Sequence, residues 1–174
     1  MNPILLSVVI PTYNHDKFLC HAIQSVLDQK YKNIEILVID NFSCDNTKEV
    51  VLNFNDDRIR FLQIHNNGII AKSRNVGIKE AKGNWIAFLD SDDIWYPTKI
   101  NSILKFIKSN KYDVISTDEV MVNIDTRSKK ILRYGPYVNN FYKNLLMYGN
   151  RLSTSATVVS KHFLNNNNLF FSEN

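Results

Sequence analysis

The feature that most constrains the fold is a regular alternation of short apolar runs with segments of helical periodicity. Predicted strands occupy residues 4–10, 34–39, 59–64 and 85–89; the first is a near-continuous β-branched and aliphatic run and the fourth is wholly apolar. Such runs are typical of strands covered on both faces of a parallel sheet. Between them, apolar positions recur at spacings of three and four, which predicts helices over residues 17–29, 45–54 and 69–81. Asp16 is the expected N-cap of the first helix.

Short links join these elements, so their order predicts right-handed crossovers and an open, mostly parallel α/β sheet flanked by helices. A further helix is expected from near Pro97 and a further strand from Asp113. Toward the C-terminus we expect a polar turn at 125–130 between extended segments, a helix at 138–148, a strand at 157–159 and a polar loop at 165–168. No repeat and no linker rich in Pro, Gly or Ser divides the chain, which predicts one domain over residues 1–174.

Composition places the 174-residue chain among ordinary globular proteins, with 44% hydrophobic and 22% charged residues. Its formal charge of +4 is spread without a polybasic block, which argues against a nucleic-acid partner. Cys20 and Cys44 show no paired spacing, so a reducing, cytoplasmic setting is expected. The apolar opening is too short to cross a bilayer and lacks a basic leader, so we interpret it as a strand. Peripheral contact with the inner face of the membrane stays an alternative.

Several chemistries are disfavoured by the motifs. The five glycines form neither a dinucleotide fingerprint nor a phosphate loop, and no Gly-x-Ser-x-Gly elbow occurs. The four histidines lack zinc-ligand spacing. A sugar-1-phosphate nucleotidyltransferase would place a glycine-rich loop after the first strand, and none follows Ile10.

Ligands of open α/β sheets bind beyond the carboxyl ends of the strands, so the residues at those ends are the first candidates for a site. These residues are Thr12, Tyr13 and Asn14, then Asp40 and Asn41, then 66–68, then Asp90, Ser91, Asp92 and Asp93. Tyr13 either stacks on a nucleobase or packs against the protein. Asp40 either contacts a base or ribose or opens an Asx turn through Ser43. Arg74 either recognises phosphate or forms a surface salt bridge.

The acidic cluster after the fourth strand carries the most information. Asp90 and Asp92 stand two residues apart, so in extended backbone both side chains leave the same side. Neighbouring carboxylates repel one another unless a cation or strong donors compensate. A hard cation prefers oxygen ligands and completes its shell with water and phosphate, so Mg²⁺ or Mn²⁺ with a diphosphate fits. The alternative is a solvated turn that caps the helix near Pro97.

Five segments together resemble the family 2 glycosyltransferases, which have the GT-A fold. They are residues 7–14, 22–29, 38–47, 73–77 and 81–93. The resemblance extends from about Leu6 to the C-terminus, and the ordered combination is far more specific than its parts. It implies the GT-A fold and transfer of a sugar from a nucleotide-sugar to a polysaccharide or lipid-linked acceptor.

The resemblance also implies roles for the residues at the strand ends. Those expected to contact the nucleotide-sugar are Thr12, Tyr13, Asn14, Asp40, Asn41, Arg74, Asp90, Ser91 and Asp92. Within this set Tyr13, Asp40 and Asn41 would hold the base and ribose. Asp90 and Asp92 would serve the ribose and a Mn²⁺ or Mg²⁺ ion on the diphosphate.

The chain departs from the family pattern at two places. Asn41 stands where many relatives carry aspartate, and Phe42 stands where many carry glycine. The side-chain carbonyl of Asn41 can still accept a hydrogen bond from a pyrimidine ring N–H, so UDP- and dTDP-sugars are the expected donors. The family's acidic motif that supplies the catalytic base follows a stretch resembling residues 171–173, and this chain stops at Asn174. We therefore assign no catalytic base, interpret Glu173 as structural, and expect the donor-binding portion of an inverting transferase. A nucleotide-sugar-binding protein without transfer activity is the alternative.

Overall fold

The computed structural model describes residues 3–133, 135, 140–149 and 152–174. Its strands are β1 (Leu6–Thr12), β2 (Ile34–Asp40), β3 (Ile59–Gln63), β4 (Trp85–Phe88), β5 (Val114–Ser116), β6 (Glu119–Val122), β7 (Lys129–Leu132) and β8 (Thr157–Ser160). Its helices are α1 (Asp16–Leu27), α2 (Thr47–Leu52), α3 (Ile70–Glu80), α4 (Lys99–Lys108), α5 (Phe141–Tyr148) and α6 (Lys161–Asn166). The predicted alternation of strands and helices is confirmed through α4.

The described residues form one six-stranded sheet in the order β3-β2-β1-β4-β8-β5 and a separate ribbon of β6 and β7. β1 pairs in parallel with both β2 and β4, and β2 pairs in parallel with β3. β8 reverses direction and is antiparallel to both β4 and β5. The mostly parallel α/β sheet is thus confirmed, with β8 as the strand that runs the other way.

The core lies on both faces of this sheet because successive strand residues point to opposite sides. On one face, Val8 and Ile10 join a cluster to which α1 and α4 contribute Ile23 and Ile103. On the other face, Val9 packs in a cluster with Leu37, Phe88 and Ile78 of α3. The burial of all seven β1 residues explains its near-continuous apolar run.

Three local expectations differ from the structure. The residue at the N-cap of α1 is His15 rather than Asp16, and its side chain makes no capping hydrogen bond. The expected loop at 165–168 is wrong in its first half, because Asn165 and Asn166 form the last turn of α6. The turn expected at 125–130 lies between β6 and β7, although its last two residues already belong to β7.

Two further expectations concern the C-terminal half and the membrane. The helix expected at 138–148 is observed as α5, and its first residues, 138 and 139, lie outside the described residues. Across the described ranges, no helix combines the length and apolarity that a bilayer crossing requires.

Candidate functional site

The loops that follow β1, β2 and β3 are tied to one another at the carboxyl edge of the sheet. The Asn41 backbone N–H donates to the Thr12 carbonyl at 3.1 Å. The Asn14 backbone N–H donates to Ser43 Oγ at 2.8 Å, and the Asn14 side-chain oxygen accepts from the Cys44 N–H at 2.9 Å. These bonds bring the predicted residues of two strand ends into one rim.

The loop after β1 carries the first three candidate residues. Thr12 is 5% exposed, and its Oγ1 has no hydrogen-bond partner among the described residues. Tyr13 is 54% exposed, so its ring is open to a ligand. Asn14 has a φ of 50°, a left-handed conformation that asparagine tolerates better than most residues. A buried hydroxyl without a partner beside an open ring is a feature of a ligand site.

Asp40 is fully buried at the end of β2 and uses its carboxylate within the protein. Its two oxygens accept from the Ser43 N–H at 3.2 and 3.1 Å, and Oδ1 also accepts from the Ser43 hydroxyl. Gln63 Nε2 donates to Oδ2 at 3.0 Å. Asp40 therefore forms the Asx turn that the sequence left as one alternative. This turn fixes Ser43 and, through it, Asn14; a contact of Asp40 with a nucleotide stays a prediction.

Asn41 has one orientation that the surrounding backbone dictates. Its Oδ1 accepts from the N–H of Asn66 at 2.9 Å. The Asn66 side chain is itself engaged, since it donates to Ser73 Oγ at 2.8 Å and accepts from the Gly68 N–H at 2.8 Å. Flipping the Asn41 amide would leave a buried N–H unpaired, which costs about 1–3 kcal/mol. In this orientation the side-chain nitrogen of Asn41, Nδ2, has no hydrogen-bond partner in the described part of the chain.

Arg74 and Asp90 form a partly buried ion pair that links α3 to the end of β4. Arg74 Nη2 lies 2.7 Å from Asp90 Oδ1, and the side chains are 11% and 32% exposed. The guanidinium also lies over the ring of Phe171, 5.4 Å from its centroid, while Nε is buried without a partner in the described residues. The sequence left a surface salt bridge as one alternative for Arg74; the structure shows an ion pair with Asp90 that is partly buried. This pair holds the Arg74 guanidinium at the rim.

Asn75 fixes the segment that carries Phe171. Its Oδ1 accepts from the Phe171 N–H at 2.9 Å, and its Nδ2 donates to the Phe171 carbonyl at 2.9 Å. The same Nδ2 donates to Glu173 Oε1 at 2.7 Å. Because Phe171 packs edge-on against Phe88 of β4, with ring centroids 5.2 Å apart, this clamp positions the aromatic surface beneath Arg74.

The acidic loop after β4 is anchored at two points. Ser155 Oγ accepts from the Asp90 N–H at 3.0 Å, and the buried Ser91 Oγ lies 2.8 Å from His15 Nδ1. The bond between His15 and Ser91 joins this loop to the loop after β1, so both halves of the predicted site share one edge. Asp92 is exposed and forms no hydrogen bond or ion pair with the described residues.

Like charges are crowded in this loop. Partial burial raises the pKa of Asp93, and the charges of Asp92, Asp90 and Glu119 raise it further against the opposing hydrogen bond of the Ser155 hydroxyl. Repulsion of this kind is relieved by a bound cation. Among the described residues, no three His, Cys, Asp or Glu side chains come together as a metal site built from protein alone.

A lysine that the sequence reasoning missed, Lys99, lies close enough to the acidic loop to interact with the charge of Asp93. Lys99 begins α4, donates from Nζ to Thr117 Oγ1 at 2.8 Å, and lies over the Trp95 ring at 5.1 Å from its centroid. Burial lowers its pKa to about 8, although the charges of Glu119 and Asp93 act in the opposite direction. Its sequence signal was weak, since Lys99 sits at the start of an ordinary amphipathic helix.

The chain is similar to known glycosyltransferases in sequence and in structure. The family model described as Glycosyl transferase family 2 matches residues 7–168. The protein named UDP-Glc:alpha-D-GlcNAc-diphosphoundecaprenol beta-1,3-glucosyltransferase WfgD of Escherichia coli is 39% identical over 128 residues, which are 70% of this chain and 51% of that protein. An uncharacterized glycosyltransferase of Rickettsia felis is 39% identical over 142 residues, 81% of this chain and 23% of that protein.

Solved structures support the same fold. A crystal structure of S. aureus TarS matches with a TM-score of 0.80 and 26% identity, over 98% of this chain and 51% of that chain. The mannosyltransferase PcManGT of Pyrobaculum calidifontis, in complex with GDP-Man and Mn²⁺, matches with a TM-score of 0.72 over 100% of this chain and 49% of that chain. At 16% identity, the second likeness shows the fold alone.

The chain belongs to glycosyltransferase family 2 and has the GT-A fold, as its resemblance implied. It spans about half the length, or less, of the relatives described above.

Proposed function

We propose that this chain is the donor-binding portion of a metal-dependent, inverting glycosyltransferase that takes its sugar from a UDP- or dTDP-sugar. The acceptor would be a polysaccharide or a lipid-linked saccharide, reached from the cytoplasmic side with peripheral membrane contact where the acceptor is lipid-linked. The observation that carries the proposal is the Arg74–Asp90 pair together with Asp92, which has no partner among the described residues. This pair shares one edge of the sheet with Tyr13 and Asn41.

The names of the relatives support this choice of substrates. WfgD is named as a UDP-Glc-dependent enzyme that acts on a diphosphoundecaprenol-linked sugar. A TarS structure at 24% identity contains UDP-GlcNAc.

The residues present fit a divalent cation that is shared with a diphosphate. Asp92 offers a carboxylate that is unpaired within the described ranges of the chain, and Asp90 offers the oxygen that Arg74 does not hold. Two carboxylates with phosphate and water oxygens are a ligand set that Mg²⁺ and Mn²⁺ accept. Asp92 and Asp90 would hold the ion, which would supply charge neutralisation at the departing diphosphate.

The chain's own residues account for binding and orientation. The open ring of Tyr13 offers a surface for a base, the Asn41 amide nitrogen offers a donor, and Thr12 Oγ1 offers a hydroxyl that lacks a partner in the described part of the protein. Arg74 places a fixed positive charge beside Asp90, where charge grows on a leaving diphosphate. Its position needs no reorganisation because Asp90 and Phe171 already hold the guanidinium.

Calorimetric titration of UDP, dTDP and GDP, with and without Mn²⁺, tests the proposal. We expect Mn²⁺ to tighten binding of UDP or dTDP by about tenfold or more, which corresponds to ~1.4 kcal/mol. Asp92→Asn should lose this gain, whereas Asp57→Asn, an exposed control in another loop, should retain it. The proposal is wrong if none of the nucleotides binds in a metal-dependent way, or if the two variants behave alike.

A second candidate is a nucleotide-sugar-binding protein that transfers nothing. One observation favours it: Oε1 of Glu173 accepts a hydrogen bond from the Asn75 side chain, so this acid has a structural partner. Loss of general-base assistance costs typically about 10²–10⁴-fold in rate. Release of free sugar from a UDP- or dTDP-sugar, measured with Mn²⁺ and abolished in Asp92→Asn, would contradict this candidate.

A further inference from the structure

Two aromatic rings stack on each other at the ends of β2 and β3. The rings of Phe42 and His65 have centroids 4.0 Å apart and planes only 16° apart. Both residues are exposed, and Phe42 keeps 46% of its surface open to solvent. Because His65 covers one face of the Phe42 ring, the opposite face is the one available to a ligand.

The backbone at Phe42 makes this arrangement costly. Its φ is 51°, a left-handed conformation that costs an ordinary residue roughly 1–2 kcal/mol and costs glycine almost nothing. Neither Phe42 nor His65 belongs to the two buried clusters of the described core. A bulky residue in strained backbone that contributes nothing to the core is the kind of outlier that points to function.

The neighbours of the pair are polar groups suited to the edge of a flat ring. Asn41 precedes Phe42, and its amide nitrogen has no partner in the described residues. Ser43 follows Phe42 and bonds to Asn14, so the backbones that carry Phe42 and Tyr13 meet at the same place on the rim. An apolar ligand would leave the Asn41 donor unpaired, whereas a nucleobase offers both a π face and polar edge atoms.

We propose that the Phe42–His65 pair is a stacking platform for the nucleobase of the donor, and so a wall of the base subsite that contributes to affinity. The inference rests on the proposed function and adds an aromatic surface beyond Tyr13. Stacking of a base on an aromatic side chain is tolerant of base identity, because every base has a π face. The platform therefore raises affinity for the base, and the edge groups select among bases.

Phe42→Gly separates a binding role from a structural one, because glycine relieves the backbone and removes the ring. We expect its melting temperature to equal or exceed that of the unaltered chain, while its affinity for UDP in the presence of Mn²⁺ falls by about tenfold or more. Affinity for inorganic pyrophosphate with Mn²⁺ should not change, since that ligand has no base. Phe42→Tyr should bind UDP normally, and Phe42→Leu, which keeps bulk but lacks the π face, should bind it weakly.

Phe106→Ala is a matched control, because Phe106 is 51% exposed and pairs edge-on with Tyr112 next to α4. It should leave UDP affinity unchanged. Unaltered UDP binding by Phe42→Gly overturns the inference alone. A lower melting temperature with equal losses for UDP and pyrophosphate also overturns it, in favour of a structural role. Absence of UDP binding by the unaltered chain overturns the proposed function, and the inference with it.

Discussion

Replacing Gly77 by alanine should destabilise the protein, although the same change in an open helix would stabilise it. In an unhindered helix, alanine is favoured over glycine by about 1 kcal/mol. A Cβ added at Gly77 of α3 would lie 2.2 Å from Val9 Cγ1 and 2.8 Å from Val9 Cγ2. Ordinary contacts between carbon atoms are about 3.5–4.0 Å, so α3 or Val9 would have to move by more than about 1 Å.

Val9 has little freedom to move. It is fully buried, its branched side chain is stiff at χ1, and β1 is paired on both sides by β2 and β4. Overpacking a core costs typically about 1–3 kcal/mol, and here it opposes the gain in helix propensity. Because the Cβ would lie only 2.2 Å from Val9 Cγ1, we expect the upper end of this range, about 3 kcal/mol. After subtracting the gain of about 1 kcal/mol in helix propensity, the net loss is about 2 kcal/mol in the free energy of unfolding, or a fall of about 4–8 °C in melting temperature for a chain of this length.

Urea denaturation of a double-mutant cycle measures this clash directly. Val9→Ala alone should cost about 2–3 kcal/mol through lost burial and a cavity. In the double variant, the smaller side chain at position 9 provides room for the new methyl group at position 77. The double variant should therefore be destabilised by at least about 1 kcal/mol less than the sum of the two single losses. Gly135→Ala, whose Cβ would meet no atom of the described residues within 4 Å, is the control and should change stability by less than about 0.5 kcal/mol. A neutral or stabilising Gly77→Ala, or strict additivity, would refute the argument.

Three other predictions follow from single contacts. Burial lowers the pKa of Lys99 to about 8 from 10.5, so between these pH values the unfolded chain binds more protons than the folded chain. The free energy of unfolding should therefore rise by up to about 3 kcal/mol from pH 8 to pH 10.5. Chemical denaturation across this range should show a smaller rise for Lys99→Met than for the unaltered chain, and equal rises would contradict the prediction. Asn75→Ala removes both hydrogen bonds to the Phe171 backbone, so it should lower the free energy of unfolding by about 1–3 kcal/mol and speed hydrogen exchange at the Phe171 amide. An unchanged exchange rate would contradict the role given to these bonds. The hydrogen bond from Arg58 lowers the pKa of Asp56, so the stability that it adds is present above pH 3.8 and is lost as the pH falls through the lowered pKa. Asp56→Asn should therefore cost less than about 1 kcal/mol at pH 7 and less still at pH 2, as chemical denaturation at both values would show; an equal cost at both values would contradict this.

The first half of the fold was predictable because its signals are local. β1 and β2 are seven-residue strands with every residue buried, so their apolar runs are long enough to be unmistakable. The reversal of β8 was not predictable, because its direction depends on pairing with β4 and β5, which are distant in sequence. α6 was missed because it is a single short, asparagine-rich helix, held by the Ser160 hydroxyl that caps the Phe163 N–H.

The candidate site was predictable in its location but not in its contacts. The rule that ligands bind at the carboxyl ends of strands identified the loops that the structure joins through Asn14 and His15. The burial of Asp40 and the orientation of Asn41 depend on partners from neighbouring loops, which no local pattern specifies. Asn75 and Phe171 lie almost a hundred residues apart in sequence, so their support of Arg74 could be seen only in the folded chain.

The position of β8 in the sheet constrains the order in which the chain assembles. β5 forms no pair with β4, and its only neighbour in the described sheet is β8, which is made much later. During synthesis, β1 to β4 have all their mutual partners early, whereas β5 must wait for β8 before it can dock. During synthesis the parallel half should therefore pair first, and the outer strands should complete the sheet only after β8 has been made.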